Sequence, residues 1–173
     1  MINSLMIRTF SPHEWETYKD LRLRSLSDTP DAFGRTLAEE QERPDAEWSN
    51  RLEMGVNSNL DLPLVAEEDG IPIGLAWGRI EKSKLEVANL YQMWVAPSHR
   101  CYGIGQSLLD TVIEWARSRN ANYLDLGVTI SENPAMRLYR RTGFGPVGEP
   151  RQFRPDSDLM GQRMRLKLSS SAT

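Results

Sequence analysis

The chain contains one cysteine, Cys101, and two histidines, His13 and His99. A lone thiol excludes an internal disulfide and fits a reducing compartment. The histidines are far apart, and neither sits in a ligand-like cluster, so no metal site is visible. There is no excess of positive charge: 21 Lys and Arg against 24 Asp and Glu give a net charge of −3. Because the basic residues are scattered, nucleic acid and membrane surfaces are poor candidate partners. No apolar run approaches the roughly 20 residues that a membrane helix needs. Met1-Ile2-Asn3-Ser4-Leu5 lacks a charged region followed by a long apolar core, so no signal peptide is expected. There is no internal repeat. The expectation is one soluble, cytoplasmic domain over residues 1–168, with a disordered tail at 169–173.

The elements follow from periodicity and punctuation. Leu5 to Phe10 reads as a strand. Ser11-Pro12 then supplies an N-cap and a first-turn proline for a helix from Glu14 to Ser27. Short helices are expected over Thr36 to Glu42 and Asp45 to Arg51. Leu64 to Glu68 and Ile71 to Trp77 flank Asp69-Gly70, a strong hairpin signal. A long strand from Leu85 to Val95 has an irregular pattern, since Leu90 and Met93 are three apart and cannot share one face. Either a β-bulge near Tyr91-Gln92 or burial on both faces accounts for this. Ile104, Leu108, Val112 and Ala116 mark an amphipathic helix of about four turns. Leu124, Leu126 and Val128 alternate as a strand. Ser131-Glu132-Asn133-Pro134 opens a helix that Gly143 ends. A strand begins at Phe144, and the last runs from Met160 to Leu168. Mixed α/β is the result, with a central sheet.

Between the long strand and the amphipathic helix lies His99-Arg100-Cys101-Tyr102-Gly103-Ile104-Gly105-Gln106. Strand, glycine turn and helix start form a geometry for holding anions, because the first helical N–H groups are unpaired and carry the positive end of the dipole. A P-loop needs Lys then Ser or Thr after its last glycine, where this chain has Gln106-Ser107. A dinucleotide fingerprint needs a third glycine or alanine where Leu108 stands. The remaining pattern, Gln/Arg-x-x-Gly-x-Gly/Ala, is met by Arg100, Gly103 and Gly105.

From Leu90 to Phe144 the chain resembles the GNAT superfamily of N-acetyltransferases in both of its signature regions. The first comprises Val95-Ala96-Pro97, Arg100 to Gly105 and Leu108-Leu109. The second comprises Asn133, Ala135, Leu138-Tyr139 and Gly143-Phe144. Leu21-Arg22-Leu23, Ser25-Leu26 and Pro30-Asp31-Ala32-Phe33-Gly34 look like one bacterial branch of the same superfamily. The resemblance implies a mostly antiparallel α+β sheet of about seven strands flanked by helices. It also implies an acetyl-CoA-dependent transfer to a primary amine of a small molecule or protein, by direct attack in a ternary complex. The alternative is a catalytically silent acyl-CoA-binding or sensing domain. A monomer or a homodimer is compatible with either.

By the same resemblance, the pyrophosphate of acetyl-CoA lies on the N–H groups of Cys101, Tyr102, Gly103, Ile104, Gly105 and Gln106. Arg100 either adds charge there or only shapes the turn or pairs with the surface. Met93, Trp94 and Val95 pair with the pantetheine arm, and Asn133 caps its helix while contacting the cofactor. Tyr139 corresponds to the family's tyrosine acid, which protonates the departing thiolate. No base is evident. Asn89 stands near the position of the family's strand glutamate, and Glu86, Glu39 and Glu40 read as solvated surface carboxylates. A water relay is therefore expected, with a carboxylate such as Glu86 as the other option. Cys101 replaces a frequent glycine, which suggests that its position does not need a positive φ. Phe33, Trp48, Trp77 and Tyr91 are the candidates for contact with the acceptor, although large aromatics are more often core.

Overall fold

A computed structural model describes residues 4–131 and 133–168; the expected tail at 169–173 and Glu132 lie outside them. The strands are β1 (Leu5–Thr9), β2 (Asp61–Glu68), β3 (Ile71–Ile80), β4 (Val87–Val95), β5 (Tyr123–Thr129), β6 (Gly145–Pro146), β7 (Arg151–Gln152) and β8 (Met160–Lys167). The helices are α1 (Trp15–Asp28), α2 (Leu37–Gln41), α3 (Asp45–Asn57), α4 (Ile104–Ser118) and α5 (Pro134–Thr142). The strands form one sheet in the order β1-β2-β3-β4-β5-β8-β6, with β7 also paired to β8. Among the described residues only β4 and β5 are parallel, because α4 carries the chain across between them. Every other pair is antiparallel.

Local chemistry explains the boundaries. Asp69 and Gly70 both take positive φ, +51° and +82°, as a two-residue hairpin between β2 and β3 requires. Helices cover both faces of the sheet. Trp77 packs toward Tyr18 of α1 with ring centroids 5.5 Å apart, while a Cβ on the next residue, Gly78, would come within 2.9 Å of Trp115 on α4. The buried stripe of α4, Ile104, Leu108, Leu109, Val112, Ile113, Trp115 and Ala116, matches the expected amphipathic face. α3 runs six residues beyond its expected end at Arg51, to Asn57, because Leu52 and Gly55 continue the buried side begun by Trp48.

The start of α1 differs from the expectation. Ser11 is not its cap; the Ser11 N–H donates to the Glu14 carboxylate at 2.7 Å, and the helix begins only at Trp15. Arg8 on β1 donates to the same carboxylate at 2.8 and 2.9 Å, which ties the first strand to the first helix. The Arg8 hydrogen bond outweighs burial and holds the Glu14 carboxyl at about 2, against an ordinary 4.5. Glu14 therefore binds its proton more weakly in the folded chain than in the unfolded one. The stability it contributes is complete above the unfolded value and is lost as pH falls through the folded one. Denaturant unfolding between pH 4.5 and about 2 should show a smaller acid loss for Glu14→Gln than for the unsubstituted protein.

Candidate functional site

β4 and β5 pair only at Val87 with Tyr123, Ala88 with Leu124 and Asn89 with Asp125. Beyond Asn89 they diverge, leaving one edge of β4 without a neighbouring strand while its other edge stays bonded to β3. The irregular apolar spacing of β4 resolves as a bulge. Trp77 pairs with Tyr91 and Leu75 with Trp94, so Ala76 alone faces both Gln92 and Met93. Gln92 takes φ +57°, an uncommon conformation that a side chain tolerates only when its surroundings hold it. Here the buried Tyr18 hydroxyl donates to Gln92 Oε1 at 2.8 Å. The wedge between the strands opens into a cleft of about 1750 Å³.

The glycine turn closes one end of this cleft. After a 3₁₀ turn at Pro97–His99, Cys101 has φ +70° and Gly103 φ +81°, and α4 starts at Ile104. The expectation that Cys101 needs no positive φ is overturned: the loop alternates left-handed residues around Tyr102, which turns successive N–H groups to one side. Among the described residues, no hydrogen bond engages the N–H groups of Cys101 to Gln106; the first helical bond is Ser107 N to Gly103 O at 3.0 Å. Six donors at a helix start form an anion cradle. A Cβ on Gly103 would meet nothing within 4 Å, so that part of the turn is open, whereas one on Gly105 would be in ordinary contact with Leu138 at 3.5 Å.

Arg100 is engaged within the protein. Its Nε donates to the Val95 carbonyl at 3.0 Å, and its Nη2 pairs with Asp28 at the end of α1. Asp28 also accepts from Trp94 Nε1 at 2.9 Å. Burial works against that carboxylate, but these two donors keep its pKa below the usual range. Arg100 thus joins the turn to β4 and α1, and the backbone amides supply the unpaired donors of the cradle.

A neighbouring wall comes from α5, whose Thr142 hydroxyl reaches Gln106 Oε1 at 3.5 Å. Asn133 Oδ1 accepts from Met136 N at 2.8 Å and caps the helix, and its Nδ2 donates to Ser131 Oγ at 2.5 Å. Gly143, at φ +114°, ends it. Tyr139 lines the cleft, packs on Phe144 with ring centroids 5.7 Å apart, and has no hydrogen-bond partner among the described residues. Burial pushes its phenol above the ordinary 10, so it keeps its proton at neutral pH.

Met93, Trp94, Val95, Arg100, Cys101, Gly103, Ile104, Gly105, Gln106 and Asn133 all line the one cleft, and so do Phe33 and Tyr91. The Tyr102 side chain does not; it is 78% exposed, and only its backbone belongs to the cradle. Trp48 and Trp77 are also outside the lining. They are buried behind the bulge, where Tyr18 packs against both rings at 5.6 and 5.5 Å. Their part is to seat Tyr18, whose hydroxyl holds Gln92. Glu86 is exposed outside the cleft. Glu40 is not the expected surface carboxylate. It is 2% exposed and bound by Arg43 at 3.0 Å and Arg51 at 3.8 Å. Although burial opposes ionisation, these cations keep its pKa low, which disqualifies it as a base.

Arg22, Asp28 and Gln92 also line the cleft, and sequence reasoning assigned none of them a role. A signal existed for Arg22: it stands four residues after Tyr18, inside the otherwise uncharged buried stripe of Tyr18, Leu21, Ser25 and Leu26. The ties of Asp28 to Trp94 and of Gln92 to Tyr18 are long-range and left no local trace, although the bulge at Gln92 itself did.

The acetyltransferase (GNAT) family profile matches residues 15–144. The chain belongs to this family. A mycothiol acetyltransferase from Thermomonospora curvata is 28% identical over 143 residues, 82% of this chain and 44% of that protein. The chain spans less than half the length of most of the curated relatives it matches. In fold it is similar to a GNAT acetyltransferase from Streptococcus pneumoniae, with a TM-score of 0.81 at 22% identity, covering 96% of this chain and 100% of that one. A second similar structure is a putative acetyltransferase from Salmonella typhimurium, described with its cofactor acetyl-CoA. Its TM-score is 0.79 at 20% identity, covering 98% and 97%. The splayed strands and the cradle thus occur in a GNAT chain whose fold is shared with both structures.

The left-handed Cys101 gives a direct check on the turn. An L-residue there costs roughly 1–2 kcal/mol, and glycine removes that strain while adding about 0.4–1 kcal/mol of unfolded-state entropy. Cys101→Gly should therefore match the unsubstituted protein in denaturant unfolding or exceed it slightly. Cys101→Val should lose on the order of 1–2 kcal/mol, since a β-branched residue fits this conformation worst.

Proposed function

We propose that this protein is an N-acetyltransferase that moves the acetyl group of acetyl-CoA to a primary amine, by direct attack within a ternary complex. The observation that carries this reading is the run of unpartnered N–H groups from Cys101 to Gln106, set beside the unpaired edge of β4. The pyrophosphate of acetyl-CoA suits the first, through charge and through the helix dipole. Its amide-bearing pantetheine arm suits the second, as an added strand along Met93, Trp94 and Val95. GNAT membership supports the same donor and the same chemistry.

In this reading the amine nitrogen attacks the thioester carbonyl, the C–N bond forms and the C–S bond breaks. An alkylammonium with a pKa near 10 first gives up a proton, and the attacking nitrogen loses a second as the amide forms. One proton leaves to solvent through a water relay, since the candidate carboxylates are exposed elsewhere or held by arginines. The other ends on the CoA sulfur, and Tyr139 is the group that donates it. A phenol held neutral by burial gives its proton up only once negative charge has built on sulfur. Asn133 fixes the start of α5, and Tyr139 lines the same cleft as the cradle. The exposed Cys101 accords with a reducing, cytoplasmic setting.

Acetyl-CoA should raise the melting temperature of the protein, and an amine panel should release free CoA thiol. Thermal stabilisation without thiol release from any amine would favour the silent acyl-CoA-binding domain instead. Tyr139→Phe should lower kcat by roughly 10²–10⁴-fold while leaving acetyl-CoA affinity within about twofold. Undiminished turnover would remove Tyr139 from the reaction.

A further inference from the structure

Arg22 lies on α1 one turn beyond Tyr18, the residue that holds the bulge, and it lines the cleft. It is 4% exposed, and no carboxylate stands within salt-bridge distance of it among the described residues. Among the described residues its only side-chain hydrogen bond is a long one, Nη1 to Ser25 Oγ at 3.4 Å. Nε is buried with no partner, and no bond among the described residues reaches Nη2. The Phe33 ring lies 4.6 Å from the guanidinium carbon and covers one of its faces.

The unengaged Nε/Nη2 edge is the one that other arginines of this chain use to hold carboxylates. Arg165 grips Asp125 with it at 2.8 and 3.0 Å, Arg43 grips Glu40 at 3.0 and 3.5 Å, and Arg8 grips Glu67 at 2.9 and 3.4 Å. An arginine keeps its charge even when buried, and a buried charge without a partner is costly. Glu40, the acid whose field reaches Arg22, is already shared between Arg43 and Arg51. What Arg22 brings to the cleft it lines is therefore a buried positive charge whose Nε and Nη2 have no partner among the described residues.

We infer that Arg22 anchors the acceptor by binding a carboxylate that the acceptor carries along with its amine. This deepens the transfer reading above and rests on it. Acceptors of this kind are small amino acids, whose amine is then presented to the thioester from the α1 side of the cleft. The two halves of the substrate pair are sorted by this arrangement. Donor phosphates meet backbone amides at the start of α4, and the acceptor anion meets a side-chain guanidinium on α1.

The test compares L-amino acids, β-alanine and γ-aminobutyrate with their carboxamides and with polyamines, by turnover and by calorimetric binding to the CoA-loaded protein. The unsubstituted protein should favour one or more free carboxylates over the matched carboxamide by on the order of tenfold to a hundredfold in kcat/KM. Arg22→Gln should bring that ratio close to one while leaving the KM for acetyl-CoA unchanged. Equal or better use of carboxamides or polyamines by the unsubstituted protein would overturn the anchor and leave the transferase reading intact, without needing the variant to fold. So would a variant that keeps the preference, or a failure of every carboxylate both to bind and to react. Carboxylate binding that Arg22→Gln abolishes, with no acetylated product, would uphold the anchor and defeat the transfer reading.

Discussion

The bulge at Gln92 is the constraint on which the cleft depends. A regular β4 would continue alongside β5 to the end of the sheet, and the inter-strand groups would satisfy each other. One extra residue opposite Ala76, held in a left-handed conformation by the Tyr18 hydroxyl, re-aims β4 instead. The strands then share only three pairs before parting. Tyr18 is in turn fixed by Phe10, Trp48 and Trp77, whose rings surround it at 5.5 to 5.7 Å. The large aromatics thus act on the cleft from behind, by stabilising a strained residue that would otherwise relax.

A second tie sets the angle of the walls. Asp28, the last residue of α1, accepts from Trp94 on β4 and from Arg100 in the turn. One carboxylate therefore joins the N-terminal helix, the splayed strand and the loop that precedes α4. Thr129 makes the matching link at the far strand, donating to the Asp31 carbonyl at 2.5 Å. The stretch from Asp28 to Asp31 is consequently fastened to both β4 and β5, and Phe33, which lines the cleft, follows it.

Charge in the cleft is divided between two kinds of donor. The turn before α4 presents backbone N–H groups, which have fixed direction and no titration, and these suit phosphate oxygens. Arg22 presents a planar side chain beneath Phe33, with a geometry suited to a carboxylate. Tyr139 sits in the α5 wall as a neutral phenol because burial disfavours its anion. The three groups belong to separate elements, α4, α1 and α5, and the cleft opened by the splay of β4 from β5 is lined by all of them.

Local sequence was enough for most features whose cause is local, the cap of α1 and the left-handed Cys101 excepted. The Asp69-Gly70 hairpin, the stripe of α4, the glycine turn, the Asn133 cap and the Gly143 stop each depend on a few neighbouring residues, and each appears where periodicity or turn chemistry places it. Even the bulge left a trace, in the three-residue step from Leu90 to Met93. The tertiary structure decided the rest: that Arg100 pairs with Asp28, 72 residues away, that Gln92 is held by Tyr18, 74 residues away, and that Trp48 and Trp77 buttress the cleft without lining it. It also decided that Glu40 is buried among arginines and that Arg22 keeps an edge without a partner among the described residues. Those facts depend on which side chains the fold brings together across the sheet, and no periodicity along the chain encodes that.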